Sequence, residues 1–121
     1  MEVPMQSLEQ FDVVYLHRDP VDMRKSIDGL STIVLDELKM SFDAKKLFVF
    51  VSRCGKKLKI LYWDRTGFAL WYKRLEKQRF KWPRNHDQAI LQSSASQLTQ
   101  LLCGFDVFQK PHEYLQYQQI F

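Results

Sequence analysis

Basic and aromatic side chains are concentrated in one stretch of the sequence, residues 53–84. This stretch holds eleven Lys and Arg residues against two acidic ones, and it contains all three tryptophans. Phosphates attract Lys and Arg, and unpaired bases stack on aromatic rings, so the composition is typical of a nucleic-acid-binding surface. The candidate binding residues are Trp63, Trp71 and Trp82 with the basic residues Arg24, Lys25, Arg53, Lys56, Lys57, Lys59, Arg65, Lys73, Arg74, Lys77, Arg79, Lys81 and Arg84.

A purely structural role is the alternative for many of these side chains. Aromatic residues in strands usually belong to a core, and lysines on strands usually face solvent or protect a sheet edge. The charge of the stretch is harder to explain in that way. Residues 53–84 carry +9 and the rest of the chain −5, so the net charge of +4 hides a strongly basic segment that favours a polyanionic partner. We expect Lys59, Lys73, Arg74, Arg79 and Lys81 to form one exposed patch.

A second basic segment lies near the N-terminus. His17, Arg18, Arg24 and Lys25 flank a predicted junction between a strand and a helix, where free backbone N–H groups attract anions. The alternative is a well-capped helix whose basic side chains are simply solvated.

Other site chemistry has little support. The candidate metal ligands lack the spacing of a zinc site; they are His17, His86, His112, Cys54 and Cys103. A two-metal nuclease needs converging carboxylates, but Asp19 and Asp22 are expected to cap a helix, and Asp64 precedes a turn. Asp28 is the fourth carboxylate that could be considered for such a nuclease site. Phosphate-binding glycine loops and nucleophilic triads are absent. We therefore expect no enzyme activity, no metal and no cofactor.

Length and composition indicate one globular domain. The chain has 121 residues, of which 45% are apolar and 26% charged, so disorder throughout is excluded. Two cysteines rule out a disulfide-rich secreted scaffold, and neither a membrane-spanning run nor a signal peptide is visible. We expect a cytoplasmic protein with no membrane contact. Residues 1–10 form a lead-in, 11–108 the domain, and 109–121 a partly disordered tail.

Short segments rich in β-branched and aromatic residues are predicted as strands. They are residues 11–17, 47–52, 58–64, 68–75 and 89–93, and residues 79–82 alternate basic and aromatic side chains like a further strand. Residues 47–52 are apolar on both faces, which indicates a central strand. Short turns at Gly55 and Gly67 imply an antiparallel meander, with Gly67 able to take a positive φ.

Two helices are predicted around this sheet. The first begins with Asp19 as N-cap and Pro20 in the first turn. Its apolar face recurs every three or four residues, at Met23, Ile27, Leu30, Val34 and Leu38. The second opens at Ser94 or Ser96 and closes at Gly104. The predicted fold class is α+β, a single domain with an antiparallel meander of four to five strands and two helices packed on one face.

The sequence resembles the TnpB-type accessory proteins of the IS66 class of bacterial insertion sequences. Residues 14–30 (VYLHRDPVDMRKSIDGL) match the opening of the family pattern, residues 47–83 its central part, and residues 98–106 (LTQLLCGFD) its closing segment. The matching positions are Asp22, Met23, Arg24, Lys25, Asp28, Gly29, Lys59, Trp63, Asp64, Gly67, Tyr72, Lys73, Arg74 and Leu75. Ser26, Ile27 and Cys54 depart from the pattern, and the tail after Asp106 has no counterpart.

The resemblance implies a mobile-element protein that takes part in transposition, a form of DNA recombination, while a separate transposase performs strand transfer. The family pattern contains no catalytic motif. Together with the basic stretch, it predicts a non-catalytic, DNA-binding accessory protein. The alternative is a protein-interaction adaptor for the partner transposase, or a homodimer, without direct DNA contact, since exposed aromatic and Arg residues favour protein interfaces.

Overall fold

The computed structural model describes Leu8 and residues 10–107. These residues hold a five-stranded sheet built from β1 (Val13–His17), β2 (Lys46–Val51), β3 (Lys57–Asp64), β4 (Gly67–Arg74) and β5 (Ile90–Ser93). Two helices accompany it, α1 (Ile27–Thr32), which continues as a π-helical turn (Ile33–Glu37), and α2 (Ala95–Leu102). The predicted α+β fold is confirmed.

The sheet is mostly antiparallel, with the spatial order β4-β3-β2-β1-β5. Strands β2, β3 and β4 form the predicted meander, because short turns join them and each antiparallel pair has continuous register. Strand β1 runs parallel to β2, and α1 makes the crossover between them. Strand β5 closes the other side of β1 in antiparallel register.

The helices lie on opposite faces of the sheet, so their expected placement on one face is wrong. Alternate residues of β2 enter two different cores: Leu47 and Val49 join the cluster that contains α2, whereas Phe48 and Phe50 join the cluster that contains α1. The physical reason is the central position of β2. A strand that is apolar on both faces needs a cover on each of them.

Helix α1 begins eight residues later than Asp19, which is therefore not its N-cap. Ser26 occupies the N-cap position. The preceding loop is held by other bonds: the Asp22 carboxylate accepts the Arg24 backbone N–H at 2.9 Å, and the Val21 N–H donates to Val51 O at 2.9 Å. These bonds satisfy the backbone outside a helix, which explains why the local capping signals fail.

The segment 79–82 is not a strand. The N–H of Phe80 donates to Gly55 O at 2.8 Å, and the Phe80 ring is buried in the core of α2, so the segment crosses the β2–β3 turn. The β3–β4 turn differs as well, because Arg65 rather than Gly67 takes the positive φ, at 52°. Gly55 has φ 78°, a conformation that favours glycine.

Helix α2 begins at the first of its two candidate caps. The Ser94 hydroxyl accepts the Gln97 N–H at 3.2 Å, and the Gln97 side chain accepts the Ser94 N–H at 3.1 Å, which completes a capping box. Gly104, with φ 94°, follows the helix. Most of the predicted lead-in and the whole predicted tail lie outside the described residues. Within residues 10–107, no helix has the length and apolar character to cross a bilayer.

Candidate nucleic-acid interface

Three connecting segments leave the sheet at the same end. Strands β1, β2 and β4 finish there and β3 and β5 begin there, as their registers require. We call this region the basic end and define it as residues 18–26, 52–59 and 73–89. It holds thirteen Lys and Arg residues against four Asp and Glu residues, a net charge of +9. Cations from three separate segments are therefore collected at one end of the sheet.

Twelve of the thirteen predicted basic residues belong to the basic end. Arg65 is the exception, because it lies in the β3–β4 turn at the opposite end of the sheet. Eight of the twelve are exposed: Arg24, Lys25, Arg53, Arg74, Lys77, Arg79, Lys81 and Arg84. The remaining four, Lys56, Lys57, Lys59 and Lys73, are half-buried.

Backbone hydrogen bonds hold the connecting segments against one another. The Leu75 N–H donates to Lys56 O at 2.7 Å, next to the bond between Phe80 and Gly55. The Arg79 side chain lies over Gly55, with its Cβ 3.5 Å from the place where a β-carbon of residue 55 would stand. The β2–β3 turn and the segment after β4 therefore present their cations together.

A cleft of about 880 Å³ opens at the basic end, on the face of the sheet that carries α1. One wall is the loop of residues 20–24, and the other is the turn of residues 52–54. Lys57, Lys59, Leu70 and Tyr72 supply the floor. Helix α1 packs farther along this face, over Phe48, Phe50 and Leu61, and leaves the floor of the cleft uncovered.

Four cations and one carboxylate line the cleft. The carboxylate, Asp22, is held by Arg24, whose Nη2 donates to its Oδ2 at 2.6 Å. These side-chain bonds, with the Arg24 backbone N–H, lower the pKa of Asp22 to about 2, so it stays ionised under ordinary conditions. Arg53, Lys57 and Lys59 are the other cations of the lining. The cleft carries a net charge of +3, which suits an anionic ligand.

Lys59 is committed to the fold. Its Nζ donates to Met23 O at 2.8 Å and to Lys25 O at 2.7 Å, which ties the loop wall to β3. The same Nζ lies 5.9 Å from the centre of the Tyr72 ring. Burial lowers the pKa of the Lys59 ammonium.

The expected single patch of five cations is wrong, because successive residues of β4 point to opposite faces. Lys73 faces the α2 side, where its Nζ donates to Leu102 O at 3.1 Å and satisfies a carbonyl at the end of α2. Arg74 faces the other side and pairs with Glu76 at 3.0 Å. With Lys59 bonded to the loop, the exposed cations of that set are Arg74, Arg79 and Lys81.

The tryptophans have mainly structural positions. Trp71 and Trp82 pack against the core beneath α2, and the Trp82 indole N–H donates to His17 O at 3.0 Å. Trp63 meets Phe68 edge to face at 5.2 Å, near the β3–β4 turn. The aromatic side chain that does lie in the cleft is Tyr72, which sequence reasoning matched to a family pattern but did not place among the binding residues.

In the second basic segment, His17 and Arg18 lie nine or more residues before the start of α1 at Ile27, and only Arg24 and Lys25 adjoin it. Arg18 instead donates to the carbonyls of His86 and Asp87 at 3.1 Å, and it pairs with Asp19. Arg24 and Lys25 still contribute, because their loop forms a wall of the cleft or adjoins it. Within the part of the chain that the structure describes, no group of three His, Cys, Asp or Glu residues could hold a metal ion.

A family model described as IS66 Orf2 like protein matches residues 12–112. The chain belongs to this family. Family membership makes it an IS66-type accessory protein of insertion sequences, as the resemblance implied, and the match extends six residues beyond Asp106.

Two relatives of this IS66 Orf2-like chain come from Sinorhizobium fredii. Uncharacterized protein y4hO is 39% identical over 93 residues, which cover 77% of this chain and 80% of the relative. Uncharacterized protein y4jC is 33% identical over 87 residues, which cover 72% and 74%. No solved structure matches the chain.

Proposed function

We propose that this IS66 Orf2-like protein assists transposition as a non-catalytic accessory that binds the DNA backbone through the basic end. The observation that supports the proposal is the convergence of three separate segments with thirteen basic and four acidic residues at one end of the sheet. Cations this close together repel one another unless a polyanion neutralises them. DNA is the polyanion that an insertion-sequence protein meets.

The contacts distinguish two groups among the cations of the basic end. Lys59 and Lys73 are bonded to backbone carbonyls, and Arg18 holds the segment after β4, so these three shape the surface. Arg53 and Arg79 are exposed beside the β2–β3 turn, and Lys57 lines the cleft next to them. We assign phosphate contact to this second group, in which the charged group is available to a ligand.

The proposal predicts DNA binding that weakens steeply with salt. The double variant Arg53→Gln with Lys57→Gln removes two phosphate contacts, so the slope of log affinity against log salt should become shallower by about 1.8 for duplex DNA. Fluorescence anisotropy with a labelled duplex, measured from about 50 to 200 mM salt, gives this slope.

A matched control places the same charge loss at the opposite end of the sheet. Lys45→Gln with Arg65→Gln also removes two positive charges, from exposed side chains outside the basic end, and should leave the slope nearly unchanged. Equal effects of the two variants would mean that net charge alone governs binding. Absence of any binding at about 50 mM salt would overturn the proposed function.

The adaptor alternative has weaker support. The large apolar residues that are exposed among the described residues are Leu35, Tyr72 and Phe105, which lie in the π-helical turn, in β4 and in the segment after α2. A protein interface usually gathers such side chains in one patch. A measured homodimer mass that persists at high salt, together with no DNA binding, would favour the adaptor.

A further inference from the structure

Tyr72 is an aromatic ring exposed on the floor of a basic cleft. The residue is 48% exposed, although it lies in a sheet strand near Leu70, which is half-buried and packs against the core beneath α1. The cross-strand neighbour of Tyr72 on β3 is Lys59, whose ammonium is fixed by two carbonyls and approaches the ring. The Tyr72 ring therefore has the Lys59 ammonium beside it on a rigid sheet, and it is exposed toward the cleft.

The cleft has the dimensions and the lining of a ligand site. Its volume of about 880 Å³ lies within the range of small-molecule pockets. Arg53 and Lys57 lie along the wall and floor, and Leu70 adds an apolar surface next to Tyr72. A ligand that fits these features has a flat ring for Tyr72 and an anionic group for the two cations, as a nucleotide does.

The bases of duplex DNA cannot stack on the Tyr72 ring. In a duplex each base lies between its stacked neighbours, so only phosphates and groove edges are open to a protein. An aromatic side chain can stack on a base that is unpaired, and such stacking strengthens the binding of a single strand whatever its sequence. An exposed ring among phosphate-binding cations therefore favours a single strand.

We propose that the cleft binds an unpaired nucleotide of single-stranded DNA. The base stacks on Tyr72, and the adjoining phosphates contact Arg53 and Lys57. Exposed cations of the basic end, such as Arg79 and Lys81, contact the flanking strand. This inference rests on the proposed DNA-binding function and specifies the form of DNA that the cleft selects.

The test compares three ligands of about 12 nucleotides: a labelled single strand, the duplex of the same sequence, and a single strand in which the central nucleotides are abasic. The wild-type protein should bind the intact strand at least fivefold more tightly than the abasic strand, since about 1 kcal/mol or more of stacking is lost. Tyr72→Leu should weaken binding of the intact strand by a similar factor and change duplex binding less than twofold.

Tyr72→Phe is the matched control, because it keeps the ring and should bind the intact strand like the wild type. A second readout needs no variant: 2-aminopurine placed in the strand should lose fluorescence when the wild-type protein stacks against it. This signal keeps the proposal testable even where Tyr72→Leu does not fold.

Equal affinity for intact and abasic strands, or unchanged 2-aminopurine fluorescence on saturation, would overturn the cleft proposal. The proposed function would survive in that case, provided that duplex binding keeps its salt dependence. Absence of binding to all three ligands would overturn both. A single RNA strand of the same sequence that bound tenfold more tightly than the DNA strand would overturn the assignment to DNA.

Discussion

The Lys59 ammonium has a structural role, because it holds the loop before α1 against the sheet. The ammonium bonds two carbonyls of the loop that precedes α1, at 2.8 and 2.7 Å, and so fixes one wall of the cleft to the floor. Those carbonyls belong to a segment with no helix to satisfy them. The carbonyls are 34 and 36 residues away from Lys59 in sequence, so no local pattern indicates these bonds.

Lys59→Met should therefore destabilise the protein. The variant keeps a long apolar stem but leaves the carbonyls of Met23 and Lys25 without their charged donor, and a hydrogen bond to a charged group contributes about 1.5–3 kcal/mol. Urea denaturation should show that the free energy of unfolding falls by about this amount, and the midpoint should move to a lower urea concentration.

Lys56→Met is the control for this variant, since the Lys56 ammonium makes no hydrogen bond within residues 10–107. It removes one charge from the same strand end and should change the free energy of unfolding by less than about 0.5 kcal/mol. A Lys59→Met protein as stable as the control would show that the two bonds contribute nothing.

At the level of elements, the two helices show when local signals suffice. Helix α2 begins where its sequence predicts, because Ser94 and Gln97 lie three residues apart and satisfy each other's backbone groups. Helix α1 does not, because Asp22 bonds its own loop and Val21 bonds the end of β2. A capping signal predicts a helix start only where no tertiary partner competes for the same groups.

Ser94→Ala should cost about 1 kcal/mol of stability, the usual effect of losing an N-cap hydroxyl. The measurement is the free energy of unfolding from urea titration. Ser96→Ala provides the comparison, because Ser96 is exposed inside α2 and makes no side-chain hydrogen bond within the described chain. If both variants lost the same stability, the capping box would not be the cause.

At the level of the whole molecule, the basic end places most of the cations in one region. Mutual repulsion among them opposes folding, and dissolved ions screen it over about 10 Å at 0.1 M ionic strength. The melting temperature should rise by about 2–5 °C between low and moderate sodium chloride, which corresponds to about 1 kcal/mol of relieved repulsion.

Differential scanning fluorimetry measures this rise. The variant Arg53→Gln with Lys57→Gln should show a smaller increase, since two of the repelling charges are gone. A melting temperature that stays constant or falls with salt would mean that the cations are too far apart, or too well paired, to repel one another.

Much of the fold could be predicted from the sequence, because alternation, turn residues and caps are local signals. The central position of β2 followed from its two apolar faces, although the consequence, a helix on each face, did not. The site was predicted only as a set of charges. Its convergence depends on the strand order, and the selection of Tyr72 over Trp71 and Trp82 depends on which face the core covers.

The pairing of β1 with β5 also governs when the domain can be completed during synthesis. Val14 and Ser93 are partners across 79 residues, whereas the β2–β4 meander is formed by neighbours along the chain. One edge of β1 therefore stays open until the ribosome has released the chain beyond Ser93. A transcript interrupted before Ile90 would yield a protein with the meander and the cleft residues but with that edge unpaired, and an unpaired edge promotes aggregation.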